Sequence, residues 1–366
     1  MKIATNNLKR QYDLYADEYE EAAVKCLRSG WYIMGPELAQ FEARFAKYIG
    51  TDFCVGVASG LDALYMAFRL LGIGSGDEVI VAANAYIACV MGITMNGATP
   101  VFVEPDDFFN IDDKKIEEKI TAKTKAILAV HLFGQACNMD RIMRIARKYS
   151  IKVVEDCAQS HGNHWNNRKV GSIGDIGCFS FYPTKGCGAF GDAGCIVTDN
   201  EEIAVSARVL RNYGSNKKYY NEVVGVNSRL DELQAALLSV KLSHLDEMNE
   251  ERAALAHRYA KEIYNPHIVL PSVRNGADST WHQYVIRVKQ REQFIEFMSK
   301  HGIGTMIHYP IPPYLSEAYR YLGYQKGDFP IAEEQAAKVV SLPVYNGMTR
   351  EEQTYVIDTI NAFEAD

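Results

Sequence analysis

A single lysine is the first residue suited to chemistry. The stretch Gly177–Gly194 reads GCFSFYPTKGCGAFGDAG, in which the apolar run Cys178–Tyr182 passes through Pro183 to Lys185. A loop with Gly186, Gly188, Gly191 and Gly194 follows, and no acidic residue stands beside Lys185. A partly desolvated lysine has a lowered pKa and a free amine, which makes it a nucleophile. The same stretch also fits a loop lysine facing water, since most lysines are surface charges.

Four other places bear on the choice. After FCVGV (53–57) come Ala58-Ser59-Gly60 and then LDALYMAFRLL. A strand, a small-residue turn and a helix start leave free N–H groups at the positive end of a helix dipole, which suits an anion, although many ordinary helices begin with Ser-Gly. After EVIVA (78–82) comes Tyr86, which either stacks on a planar ligand or packs in the core. IKVVED (151–156) ends in Glu155 and Asp156, with Gln159 three residues on. Carboxylates closing an apolar run need a cationic or hydrogen-bonding partner. Ser180 lies in the run before Lys185. A phosphate anchor, an aromatic ring, a buried aspartate and a nucleophilic lysine are the parts that pyridoxal 5′-phosphate (PLP) needs. The lysine joins the aldehyde as an imine, the aspartate pairs with the protonated pyridine nitrogen, and the helix start and hydroxyls hold the phosphate. Displaced by an amino substrate, the lysine is then free to move a proton.

The elements that must position these residues are legible as runs. FCVGV, EVIVA, TPVFV (99–103), KAILAV (125–130), IKVVED, CFSFY (178–182) and CIVT (195–198) alternate with helical segments. Several are too continuous for half-exposed strands. They predict a mostly parallel sheet covered by helices on both faces, with ligands beyond the carboxyl ends of its strands. Helical spacing also predicts helices over 12–30, from Pro36 to about Ile49, and from about Arg229 to Tyr264. Asn227 and Ser228 read as the N-cap of the last. Beyond it, short strands at Tyr284–Val288 and Thr305–Ile307 mix with helices at 291–300 and 331–340.

The bulk numbers bound the function. The chain has 366 residues, 48% of them hydrophobic, and a net charge of −7. That suffices for a large core and a smaller second unit. The absence of a basic stripe speaks against nucleic acid, and no apolar run is long enough to span a membrane. The start of the chain has no apolar signal region. The 8 cysteines have no Cys-x-x-Cys spacing, which points to a reducing cytoplasm and to no metal site.

With EDCAQSHG (155–162), VGSIGDIGCFSFYPTKGCGAFGDAG (170–194), HLFGQACNMD (131–140) and RNYGS (211–215), the chain resembles the DegT/DnrJ/EryC1/StrS family of sugar-nucleotide aminotransferases. The resemblance implies an α/β chain of the PLP-dependent aspartate aminotransferase fold type I. A three-layer αβα large domain would span 1–245, and a smaller α+β C-terminal domain 246–366. Lys185 resembles the Schiff-base lysine, Asp156 the partner of the pyridine nitrogen, and Gln159 the group bonding the ring hydroxyl. Ser59, Gly60 and Ser180 match phosphate contacts, and Tyr86 the aromatic against the ring. Asn227 matches an asparagine that reaches the cofactor phosphate of the neighbouring subunit, which implies a homodimer with shared active sites. His308 and Tyr309, in GTMIHYPIPPY, become candidate substrate contacts, with a packed strand-end histidine the other reading of His308. Arg211, Tyr213, Lys217 and Lys218 would meet a diphosphate or form an exposed charge run. The turn Ala58-Ser59-Gly60-Leu61 lacks a threonine common in the family, and Gly186-Cys187 replaces the usual Asn-Leu. The implied reaction moves an amino group from L-glutamate to a nucleotide-linked keto-6-deoxy sugar by a ping-pong mechanism. The nearest subgroup aminates C3 of dTDP-3-keto-6-deoxyhexoses, in deoxyamino-sugar, O-antigen or glycan biosynthesis. Alternatives are C4 amination of a UDP- or dTDP-4-keto sugar, dehydration, or a regulatory role on the same scaffold. Family members that dehydrate carry histidine in place of the lysine, so Lys185 argues against that branch.

Overall fold

The computed structural model describes residues 1–365. Seven strands form the central sheet: β1 (Phe53–Val57), β2 (Glu78–Ala82), β3 (Thr99–Val103), β4 (Thr124–Val130), β5 (Lys152–Asp156), β6 (Ile176–Ser180) and β7 (Gly194–Thr198). Their order is β1-β7-β6-β5-β4-β2-β3. From β6 to β3 neighbours pair parallel, whereas β7 is antiparallel to both β6 and β1.

The helices are α1 (Leu8–Asp13), α2 (Ala16–Ser29), α3 (Pro36–Ile49), α4 (Gly60–Leu70), α5 (Ile87–Thr94), α6 (Met139–Tyr149), α7 (Glu201–Leu210), α8 (Glu232–Ser243), α9 (Leu245–Glu262), α10 (Arg291–Lys300), α11 (Pro330–Lys338) and α12 (Arg350–Asn361). Period-two alternation sorts the strand residues into two cores. Val79, Val81, Val154 and Ile196 pack with Phe68, Val90 and Ala207 of α4, α5 and α7. Ile80, Ala82, Val153 and Val197 face the other way, onto Phe41, Ile142 and Leu238 of α3, α6 and α8. The sheet is thus sandwiched, which is why its strands read as unbroken apolar runs.

A third core joins α9, α10 and α12 to the antiparallel strands β8 (Ile268–Val269), β9 (Tyr284–Val288) and β10 (Val339–Leu342). Ile3 packs into it and bridges to Ile303, so the two ends of the chain share this core.

Several boundaries differ from expectation. The helix expected over 12–30 is two, α1 and α2, parted at Leu14 and Tyr15. The helix expected over 229–264 is also two, broken at His244. There the imidazole stacks on Tyr15 at 3.8 Å and meets Glu18 at 3.0 Å. Asn227 and Ser228 do not cap it, since Asp231 is the N-cap and the Ser228 hydroxyl is engaged by Asp62 and the Ala58 amide. The strand expected over 178–182 ends at Ser180, where the chain turns into the lysine loop. Thr305–Ile307 contributes one bridge, Met306 to Ser341. The helix expected over 331–340 stops at Lys338 and becomes β10.

Candidate active site

One large cavity, about 720 Å³, opens at the carboxyl ends of the parallel strands, against the third core. Its wall includes Ser59, Gly60, Tyr86, Asp156, Gln159, Ser180, Lys185, His308 and Tyr309. The sequence had separated these residues by up to 250 positions, and the strand ends bring them together.

Ser59 is the N-cap of α4, and its hydroxyl accepts from the Asp62 amide at 3.1 Å. The amides of Gly60 and Leu61 open the helix, so no carbonyl within it can receive them, and both residues line the cavity. Backbone crowding fixes the residue types here. A Cβ on Gly60 would collide with Ser180, and one on Gly194 would lie 2.5 Å from the Ser59 carbonyl. The result is a close-fitting corner of two hydroxyls and two amides at a helix N-terminus, suited to a phosphate.

Asp156 closes β5 and is 6% exposed. Its Oδ1 accepts from the Ala158 amide at 3.0 Å, and its Oδ2 accepts from the Cys89 thiol at 3.0 Å. Gln159 accepts from the Phe133 amide at 2.6 Å and donates to the Tyr309 hydroxyl at 3.0 Å. The Tyr309 ring leans on Tyr86, with centroids 4.9 Å apart. Tyr86 keeps 44% of its surface exposed, so it is a cavity wall and not core.

Lys185 follows β6 in a loop tethered at its base, where Phe181 donates to Ala193 at 2.8 Å and Ala189 donates to Phe181 at 2.7 Å. Burial pushes the amine below the usual lysine range, and the charge of Asp156 opposes this. Among the described residues it is the one lysine or arginine on the cavity wall. His308 bonds Ser341 at 2.8 Å, and burial, with Lys185 nearby, takes its pKa down to about 4.

The second carboxylate at this strand end has a different task. Glu155 is fully buried and accepts from the amides of Gly171, Ile173 and Gly174. It also meets His131 Nε2 at 3.0 Å. His131 Nδ1 accepts from the Cys137 amide, which fixes the ring proton on Nε2 as the donor to Glu155. Both ring nitrogens are therefore used, and the grouping of His131, Glu155 and Cys157 has no imidazole lone pair left for a metal.

His282 and Gln283 were not singled out from the sequence, yet both line the cavity with buried atoms, His282 Nδ1 and Gln283 Oε1, that have no partner. No motif marks them, and only their place just before β9 brings them in. Asn227 lies outside the cavity, exposed, with its amide on the Tyr213 hydroxyl at 2.8 Å. Arg211 is not on an exposed loop. It is buried, with Nη1 held by Glu42 at 2.5 Å and the Gly56 carbonyl at 2.7 Å, and it is not on the cavity wall, where a diphosphate would have to meet it. Tyr213, Lys217 and Lys218 are exposed.

These residues fit PLP on the structure's own terms: an anion corner, a buried carboxylate at another strand end, an aromatic wall and a desolvated amine around one space. The sequence pattern of the DegT/DnrJ/EryC1/StrS aminotransferase family matches residues 14–361. The dTDP-3-amino-3,6-dideoxy-alpha-D-galactopyranose transaminase of Aneurinibacillus thermoaerophilus is 52% identical over 350 residues, covering 95% of this chain and 96% of that protein. The solved structure of Streptomyces venezuelae DesV in complex with a ketimine intermediate is 42% identical, with a TM-score of 0.97 over 100% of both chains. That of ntda from Bacillus subtilis with bound cofactor PMP is 31% identical, with a TM-score of 0.89 over 98% of this chain and 84% of that one. No helix of the described residues is long and apolar enough to cross a membrane.

Proposed function

The chain belongs to the DegT/DnrJ/EryC1/StrS aminotransferase family, and we propose that it aminates C3 of a dTDP-linked 3-keto-6-deoxyhexose, with L-glutamate as donor. The observation that carries the reading is the convergence of Lys185, Asp156 and the Ser59-Gly60-Ser180 corner on one cavity. The 52% identical relative, named for a dTDP-3-amino-3,6-dideoxyhexose, supports the substrate class.

PLP, when bound, supplies an electron sink for the carbon that gains or loses nitrogen. Ser59, Gly60 and Ser180 would hold its phosphate, Gln159 its ring hydroxyl, Tyr86 one face of its ring, and Asp156 its ring nitrogen. Lys185 would hold the cofactor at rest and, once free, would serve as the base that moves the proton. A lysine whose pKa is lowered by burial is suited to both. The two half-reactions use one cavity in turn, which is the ping-pong order. His308 and Tyr309 would face the sugar.

The dTDP diphosphate needs cations that, among the described residues, the cavity wall of one subunit lacks beyond Lys185. We therefore read the assembly as a homodimer, with Asn227 and the exposed Lys217 and Lys218 serving the partner's cavity.

Two measurements test the reading. Borohydride reduction of the PLP-loaded protein should fix the cofactor on Lys185, located by peptide mass; label elsewhere removes Lys185 from its role. A panel of dTDP- and UDP-linked 3- and 4-keto sugars with glutamate should yield a 3-amino dTDP sugar, identified by mass and NMR. Turnover of 4-keto sugars alone would reassign the substrate.

A further inference from the structure

We propose that Cys89 is a positioning residue for Asp156, its thiol orienting the carboxylate and favouring the cofactor's ring nitrogen, over the carboxylate, as the holder of the proton those two share. This rests on the assignment above of Asp156 to that nitrogen. Cys89 is the third residue of α5 and is fully buried. It is absent from the cavity wall and stands behind Asp156, with Sγ 3.0 Å from Oδ2.

The direction of this bond follows from the groups. An ionised carboxylate only accepts, so the thiol donates. Burial, reinforced by the Asp156 charge, holds the Cys89 pKa well above the ordinary thiol range, and the proton stays on sulfur. Oδ1 is already engaged by Ala158. The carboxylate is thus gripped from behind by two neutral donors.

The chemical consequence concerns one proton. A pyridinium N–H facing a carboxylate can pass its proton to oxygen, leaving a neutral nitrogen and a carboxylic acid. A donor to the carboxylate stabilises the charged form over the acid and so opposes that transfer. Without the S–H, the oxygen becomes more basic, the proton shifts towards it, and the ring is a poorer electron sink. Loss of the second grip also lets the carboxylate turn away from the ring. A cysteine serving only as small apolar filler in α5 has no need to face the one carboxylate on the cavity wall that is more than nine-tenths buried.

The test uses the full chain loaded with PLP labelled with ¹⁵N in the ring. Cys89→Ala should move the nitrogen resonance towards that of neutral pyridine and weaken PLP binding about tenfold. Cys89→Ser, whose hydroxyl also donates, should restore most of both. Asp156→Ala is the reference. If it changes the resonance and the affinity while Cys89→Ala changes neither, the proposal for Cys89 is overturned and the role of Asp156 stands. If Asp156→Ala itself leaves the resonance unmoved, the assignment of Asp156 falls first. Should Cys89→Ala not fold, the Cys89 component of the S–H infrared band of the unloaded protein serves instead, identified among the eight thiols as the one that Cys89→Ser removes. That band should shift to the free-thiol frequency in Asp156→Ala, and an unmoved band would overturn the bond itself.

Discussion

At the scale of single residues, the cost of the site is clearest at His161. Its ring is 1% exposed, both nitrogens lack partners, and burial, with Lys185 nearby, takes its pKa down to about 3. An unfolded histidine titrates near 6.5. As pH falls below that value the unfolded chain binds a proton that folded His161 refuses. Stability is therefore full above about pH 6.5 and falls progressively down to about pH 3. Between pH 7 and pH 5 the wild type should lose about 2 kcal/mol more than His161→Phe, which can pack on Phe179 and Phe181. His282 and His308 titrate in the same direction in both proteins, so the difference reports on His161 together with its effect on the neighbouring His282. Equal losses in urea unfolding would show that His161 is not the group involved. Lys185, Asp156 and Ser59 were legible because each follows a continuous apolar run, and a strand end is where such a sheet exposes polar groups. Cys89 was not. It lies inside IACVMGIT, apolar up to its closing Thr94, and the Asp156 it serves is 67 residues away. His161 was visible only as a letter in a motif, since its missing partners are a property of packing.

At the scale of elements, a repeated device holds the cavity's supports together. Buried glutamates gather amide groups from segments far away in sequence. Glu155 does so for 171–174, Glu104 for the start of α11, and Glu232 for the start of α3. α3 begins Gly35-Pro36 and has no side-chain cap of its own. Glu232 supplies one by accepting from Gly35, Glu37 and Leu38 at 2.8–2.9 Å. Glu232→Ala should destabilise the protein by about 2–3 kcal/mol, because three amides, that of Leu38 buried and those of Gly35 and Glu37 partly so, lose a charged acceptor. Hydrogen exchange should quicken first at Glu37 and Leu38, while PLP affinity holds. If instead exchange at the α3 start is unchanged, another group caps it. All the sheet strands but one were read to within a residue because a sheet covered on both faces needs unbroken apolar runs; the run at 178–182 is shifted by two, since the chain leaves the sheet at Ser180. The break at His244 was not read, since LSVKLSHLDEMNEERAAL keeps helical spacing across it. What divides it is the Tyr15 ring and the Glu18 carboxylate, brought from the far end of the chain.

At the scale of the whole molecule, the assignment of Asn227 to a partner's cavity makes a distinctive expectation. Lys185→Ala and Asn227→Ala subunits should each be impaired as homodimers. In a hybrid dimer, one cavity unites intact Lys185 with intact Asn227 from across the interface, and the other has neither. Unfolding and refolding the two together should recover about a quarter of wild-type activity, from half the dimers with one working site each. A mixture no better than the mean of its parents would put Asn227 in the service of its own subunit. The cavity itself has walls of two origins. The phosphate corner, Asp156 and Lys185 come from strand ends before residue 200, whereas Met306, His308, Tyr309, Ser341 and Val344 come from a later, separate stretch. The two walls are therefore encoded in non-overlapping parts of the chain. On the proposed reading the later wall faces the sugar, so changes in that stretch would refit it to a new sugar while the earlier one went on holding the same cofactor. A fold wired in this way is disposed to diversify its substrates without reinventing its chemistry.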